Sequence, residues 1–300
     1  MKILFPSHPL HRRRADPEYA GEWQAARAAG FACELYDVDR LREGNAPEAL
    51  KHCAPATDAG EAILHRGWML RCWAYGSLHR ELIALGYEPV VSPVQYAEAH
   101  YLPNAYPLLA GHTPESRWIA GNDVRAAWAV YEELAAGDVI VKDFVKSAKH
   151  RWKDACFIPA GTTYARFKDI LLTMLYVRGD EFEKGFVFRR AHPLVCNGAH
   201  ACGRPKHDEV RLFFWDGELL AATKEEPLSE LAMWTMLARR FSNRFITMDV
   251  ARQTDGRWIV IETGDGGVSG LPEGMGADGF YERMRVKNLR LLCNHACEMG

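Results

Sequence analysis

The sequence predicts an α/β protein, with a small parallel α/β lobe followed by α+β segments. Three observations predict it. Residues 1–110 alternate strand-like and helix-like stretches. Later, Asp216-Gly217 and Thr254-Asp255-Gly256 each separate two apolar runs of strand length, as hairpin turns do. The chain is 48% hydrophobic over 300 residues, enough for a real core in one large domain or in two to three lobes.

Taken in order, Lys2–Phe5 reads as a first buried strand, and 18–29 as a helix stopped by Gly30. Phe31–Asp37 and Ala62–Arg66 read as strands, 70–85 as a helix ending at Gly86, and the run from Tyr87 as a short strand. This βαβ rhythm implies a small parallel sheet covered by helices. The Pro-rich stretch 103–114 reads as a lobe boundary. Beyond it, Asn122 or Asp123 caps a helix to about 135, closed by Gly137. A strand over 138–145, a polar loop over 146–153 and a strand over 154–159 come next. Thr162 or Thr163 caps a helix over 164–177, then come a strand over 186–191 and an irregular segment, 192–207. The hairpin 209–215/218–224 precedes a helix over 227–241 with Pro227 in its first turn. A second hairpin, 245–251/257–263, leads to a Gly-rich loop, 264–279, and a final helix to about 297.

Charge is nearly balanced, 37 basic against 39 acidic residues, which argues against a global attraction to nucleic acid. No run of eighteen apolar residues suggests a membrane span. Pro6 and nearby charge interrupt the start too early for a secretory signal. Eight irregularly spaced Cys fit reduced thiols, so a cytoplasmic location is expected.

The most informative residues are Asp249 and Glu262. Folded about Thr254-Asp255-Gly256, the hairpin makes them close cross-strand neighbours. Like charges at that distance repel, which suggests a cation between them. Two carboxylates completed by water and phosphate oxygens suit Mg²⁺. Lys142 shares a strand face with Ile140 and Phe144. An ammonium on an apolar face needs an anionic partner such as phosphate, unless the strand is an edge and its head reaches solvent. The strand runs into a basic loop carrying Lys146, Lys149, Arg151 and Lys153, suited to phosphates or to a nucleic-acid backbone. About Asp216-Gly217, Glu209 pairs with Lys224 and Arg211 shares their face, while Val210, Leu212 and Phe214 point to the core.

This ordered set resembles the ATP-grasp superfamily of carboxylate–amine ligases, in a compact clade. The resemblance rests on Val139-Ile-Val-Lys142, the basic loop, Gly185-Phe-Val-Phe-Arg-Arg, Glu209-Val-Arg211, Leu219-Leu-Ala-Ala-Thr-Lys224 and Asp249…Glu262, over roughly 115–275. It implies an ATP-grasp fold of two α+β lobes sandwiching ATP, preceded by a small parallel pre-ATP-grasp lobe. The implied segments are 1–112, 113–190 and 191–300. Lys142 would hold the α/β phosphates and Lys149 would lie near β/γ. Val187, Phe188, Arg189 and Arg190 would form the adenine hinge, mainly through backbone groups, with Glu209 also at the nucleotide. Arg211 and Lys224 would be catalytic, and Asp249 and Glu262 would ligate Mg²⁺. The family often has Glu-x-Asn at the metal; here Gly264 replaces the Asn, and Asp265 is the candidate third ligand.

The implied chemistry is attack of a carboxylate on the γ-phosphate of ATP, then displacement of phosphate from the acylphosphate by an amine. An amino acid or peptide fits as substrate, and the resemblance leaves room for a homodimer. The Gly-rich loop is expected to line the acceptor site, because small residues allow close approach. Two other readings are a nucleic-acid ligase or nucleotidyl transferase adenylylated on a lysine such as Lys142, and a non-catalytic nucleotide-binding protein. Cys196, His200, Cys202 and His207 lack a common zinc spacing and read as a substrate loop. Cys293 and Cys297, one helical turn apart, read as packing residues, as do the aromatics Trp68, Trp73 and Tyr75. His8, His11 and Arg12–Arg14 come after the first strand, where α/β lobes place ligand loops.

Overall fold

All five residues of the first strand, β1 (Lys2–Pro6), are buried, which suits a central strand covered on both faces. The computed structural model describes residues 1–271 and 274–298, with side chains throughout except at 226 and 289–298. Cys293 and Cys297 therefore lie outside the residues whose side chains are described. The chain forms two compact units, both discontinuous in sequence. One comprises Met1–Ala97, Arg211–Thr247 and Gly264–Gly300; the other comprises Glu98–Val210 and Met248–Thr263.

In the first unit β1 is followed by α1 (Ala20–Ala28), β2 (Ala32–Tyr36), α2 (Val38–Arg42), α3 (Ala46–Ala49), β3 (Glu61–His65), α4 (Cys72–Ala84) and β4 (Tyr87–Pro89). The strands pair in parallel in the order β2-β1-β3-β4, the sheet that the alternating pattern predicts. Asp37, expected to end β2, instead caps α2 by accepting the amides of Asp39 and Arg40. Arg66, fully buried, is held by both oxygens of Glu22 and donates to the carbonyls of Gly266, Gly267 and Ser269. It ties the start of the Gly-rich loop to the parallel sheet.

Helix α5 (Pro93–His100) ends just inside the second unit. The Pro-rich stretch read as a boundary is largely helical, as α6 (Leu102–Leu109), with Pro103 in the first turn and Pro107 inside. Pro103 is tolerated because its missing N–H has no intrahelical partner there. A strand not anticipated, β5 (Ser116–Ala120), comes after it. Then come α7 (Val124–Glu132), β6 (Val139–Asp143), α8 (Trp152–Ala155), β7 (Phe157–Ile158), α9 (Tyr164–Arg178) and β8 (Gly185–Arg190). The strand expected over 154–159 shrinks to β7, because residues 149–155 wind into a 3₁₀ turn and α8. The sheet order is β5-β8-β6-β7, with every pairing antiparallel. Phe186 and Phe188 of β8 join Val139 and Val141 of β6 in a core covered by α7 and α9. The segment read as irregular forms a small hairpin, β9 (Cys196–Ala199) and β10 (Pro205–His207).

The remaining elements are β11 (Glu209–Trp215), β12 (Glu218–Ala222), α10 (Leu231–Ala238), β13 (Phe245–Arg252), β14 (Trp258–Asp265) and α11 (Ala277–Glu298). The four strands are ordered β12-β11-β13-β14. The β11–β12 register corrects one expectation. Trp215 pairs with Glu218 as the turn predicts, but an irregularity between Phe213 and Phe214 shifts the rest by one residue. Arg211 then lies opposite Thr223, whose Oγ1 accepts its amide, so the Glu209–Lys224 pairing is lost. Phe213 and Trp215 are as buried as Leu212 and Phe214, so both faces of this end of β11 are covered. No helix among the described residues is long and apolar enough to cross a membrane.

Asp143 closes β6 and shapes the basic loop beyond it. It is fully buried; Oδ1 accepts the amides of Val145 and Lys146, and Oδ2 pairs with Arg178 Nε at 2.8 Å. Removing one partner of such a pair leaves the other charge uncompensated. Asp143→Ala is expected to lower stability by about 3–5 kcal/mol. A urea midpoint unchanged from the parent would disprove this role.

Candidate functional site

A cavity of about 580 Å³ opens within the second unit, of a size that suits a cofactor-sized ligand. Its floor is set by strand alternation. Val139 and Val141 point to the core, so Ile140 and Lys142 face the other way. Across the ladder, Ile140 is paired with Arg189 and Lys142 with Val187. Lys142, expected on one face with Ile140, is thus in the cavity beside it. Lys146, Ser147 and Lys149 of the adjoining loop line it, with Trp152 and Phe157 stacked 5.5 Å apart at 20°. Arg190 through Leu194, Glu209 and Glu262 complete much of the rest.

The predicted site residues divide by unit. Lys142, Lys149, Arg189, Arg190, Glu209 and Glu262 line this one cavity. Val187 and Phe188 do not; both are fully buried, and their backbones are paired to β5 on one side and β6 on the other. Backbone groups committed to two ladders have nothing left for a ligand, and just after β8 the Ala191 and Leu194 amides are also bonded, to Asp138 O and His192 O. Arg211 and Lys224 belong to the first unit, where the Arg211 guanidinium donates to Gly270 O at 3.1 Å. Asp249 is half-buried on β13. At the open end of its hairpin, Gly266 N–H donates to Phe245 O at 2.7 Å; carried unbroken along the strands, this register would set Asp249 opposite Glu262. Toward the turn, Gln253 N–H donates to Arg257 O, so β14 accommodates one extra residue.

Arg189 is the most constrained group of the cavity. It is 7% exposed, donating to Thr113 Oγ1 at 2.6 Å, to Val260 O at 3.0 Å and to Ile261 O. Among the described residues its Nε has no hydrogen-bond partner. Burial pushes its guanidinium down to about 10, with Glu262 opposing. Sequence reasoning gave Arg189 a backbone role and missed Thr113; the cue was an arginine on the same strand face as Val187. Burial likewise lowers the Lys142 ammonium from its ordinary value, partly offset by Glu262 and reinforced by Arg189 and Lys149. Glu262 Oε2 lies 3.6 Å from Lys149 Nζ. Lys142 and Lys146 have no carboxylate partner among the described residues.

One other expectation is corrected. Asp265, the candidate third metal ligand, is buried in the first unit. Its Oδ2 accepts from Asn243 Nδ2, its Oδ1 accepts the Gly267 amide, and burial raises its carboxyl to about 6. Gly266 and Gly267 lack side chains for packing reasons: a Cβ would lie 2.7 Å from the Phe245 ring and 2.3 Å from His65 O. Among the described residues, no group of three or more His, Cys, Asp and Glu is placed to hold a metal. Cys196, His200, Cys202 and His207 thus form no such group. A carboxylate pair of the kind expected at Asp249 and Glu262 would fit Mg²⁺, which is held by one or two carboxylates together with water and phosphate oxygens.

The profile described as ATP-grasp domain, R2K clade family 3, matches residues 131–284. A RimK domain ATP-grasp protein from Sphaerobacter thermophilus is similar over 95% of this chain and 98% of its own, with a TM-score of 0.61 at 15% identity. The ATP-grasp ligase PsnB, complexed with a minimal precursor, is similar over 97% of this chain and 99% of its own (TM-score 0.57, 15% identity). The D-cycloserine synthetase DcsG covers 96% of this chain and 99% of its own (TM-score 0.55, 14% identity). These likenesses show the fold. Among curated proteins, no sequence matches the chain.

A buried histidine beside these cations gives the unit a pH dependence. Burial first, then Lys146 and Lys142, hold the His100 imidazole down to about 3 against an ordinary 6.5, with Glu262 opposing. Between those values the unfolded chain binds the extra proton. The contribution of neutral His100 is therefore complete above pH 6.5 and declines as pH falls toward 3, by about 1.4 kcal/mol per pH unit. His100→Gln is expected to flatten the fall in urea stability between pH 6 and pH 5 by about one proton's worth. Parallel parent and variant profiles would contradict it.

Proposed function

The chain belongs to the ATP-grasp superfamily, in R2K clade family 3, and on that premise we propose that it is an ATP- and Mg²⁺-dependent ligase joining a carboxylate to an amine. The observation that carries this reading is the cavity floor. A half-buried Lys142, without a carboxylate partner among the described residues, sits with Lys146 and Lys149 around Glu262, as a site for phosphate and a divalent ion requires.

In this reading Lys142 and Lys146 hold nucleotide phosphates. Lys149 leaves Glu262 for phosphate when the nucleotide enters. The stacked Trp152 and Phe157, with Ile140, supply an apolar face for adenine. Its polar edge meets the His192 amide rather than the backbone of Val187 and Phe188. Asp249 and Glu262 would hold Mg²⁺, which when bound supplies neutralisation of phosphate charge. Arg189 keeps β14, and with it Glu262, at a fixed distance from β8. Arg211, fastened to the Gly-rich loop, and Lys224 stabilise charge on the transferring group.

The reaction that these groups serve transfers the γ-phosphoryl to a substrate carboxylate oxygen, with ADP leaving. The amine nitrogen then bonds to the acyl carbon as phosphate departs and the amine proton goes to solvent. No protein nucleophile is needed, and catalysis is positioning and preorganised charge. An amino acid or a peptide fits as the carboxylate or the amine. Two solved proteins of this fold, the ATP-grasp ligase PsnB and the macrocyclase MdnC, are bound to precursor peptides, and DcsG is a D-cycloserine synthetase.

ADP release across a panel of amino acids and peptides, with mass detection of the amide, tests this reading. ADP and phosphate are expected. AMP and pyrophosphate would instead indicate lysine adenylylation. Lys142→Met is expected to lower kcat/KM for ATP at least about 100-fold, as loss of a charged phosphate contact does, and Glu262→Gln to raise the Mg²⁺ needed for half-maximal rate. A Lys142→Met enzyme with parental kinetics would refute the assignment.

A further inference from the structure

The hairpin β9–β10 carries a guanidinium into the same cavity. Arg204 lines the cavity with Pro205 and His207 of β10. No carboxylate neutralises Arg204 among the described residues; its hydrogen-bond partner is His200, whose Nε2 lies 2.6 Å from Nη2. The hairpin is anchored at both ends. At its base, the Val195 amide donates to Arg252 O at 2.8 Å, and Leu194 bridges to Gln253. Near its tip, Cys202 Sγ donates to Lys149 O at 3.4 Å, and a Cβ on Gly203 would meet Lys153 Cε at 3.5 Å. The tip thus rests on the basic loop that carries Lys149. Arg204, Lys149 and Lys142 also act electrostatically on one buried thiol, that of Cys156.

A solvated surface arginine would gain nothing from this placement. A guanidinium lining a cavity, held by an imidazole nitrogen and set beside a phosphate-binding loop, is matched to an incoming anion. We infer that Arg204, steadied by His200, is a fourth phosphate-binding cation of the nucleotide site, beside Lys142, Lys146 and Lys149, gripping the β-phosphate of ADP and ATP. The hairpin is then a wall of the phosphate pocket rather than a loop that selects the acid or amine. This inference rests on the nucleotide reading above.

Isothermal titration of the full chain with AMP and with ADP, each with Mg²⁺, separates the two. The parent is expected to bind both, ADP more tightly. Arg204→Met is expected to leave AMP affinity within about twofold and weaken ADP about tenfold or more, the scale of one charge-assisted contact. Arg204→Lys, which keeps the charge but not the fork, should recover part of that loss and serves if the methionine variant fails to fold. Equal losses for AMP and ADP, or no loss for ADP in either variant, would overturn the role of Arg204 while leaving the nucleotide site in place. Failure of the parent to bind either nucleotide would overturn both.

Discussion

One buried guanidinium sets the geometry of the cavity. Arg189 leaves an inner strand of an antiparallel sheet and takes hold of Thr113 and of two successive carbonyls, Val260 and Ile261. The residue after those carbonyls is Glu262. A lysine there would carry the charge, but a single ammonium lacks the planar fork that spans a hydroxyl and two carbonyls. The cost of burying this cation is visible in the lowered proton affinity of Arg189 and is partly offset by Glu262. The result is a strand carrying a carboxylate, fixed against a strand whose neighbour carries Lys142.

Around that bracket the charges are arranged to be rearranged. Lys149 and Glu262 are both substantially exposed and 3.6 Å apart, so their pairing is weak and easily exchanged for phosphate or a metal ion. Asp143, in contrast, is fully buried and holds the first turn of the same loop through two amides and Arg178. The loop therefore has a rigid root and an exchangeable tip. Rigid supports with mobile charged ends are what a site needs if it must admit a highly charged ligand and then enclose it.

Much of this was legible in the sequence, for identifiable reasons. Period-two alternation put Lys142 beside Ile140 on the face away from the core, and turn chemistry located both hairpins. The failures have physical causes too. Proline in a first helical turn looks like a break but is compatible with α6. An irregularity inside β11 moves Arg211 opposite Thr223, a shift that turn geometry alone does not reveal. The β9–β10 hairpin, almost wholly solvent-exposed at β9, has no apolar face to betray it. The role of Arg189 depends on carbonyls some seventy positions away, a relation no local pattern encodes. Membership of R2K clade family 3 accords with the resemblance read from the ordered set of strands.

The strands β11, β13 and β14 each begin in one compact unit and end in the other. The polypeptide consequently passes between the units repeatedly, and no contiguous stretch of the chain encodes either one. During synthesis the first unit cannot be completed when its residues 1–97 emerge, since it waits for segments beginning at Arg211 and at Gly264. Its assembly is therefore a late event: the four parallel strands are complete by Pro89, but their core also needs Phe213, Phe245 and Tyr281 from the later segments.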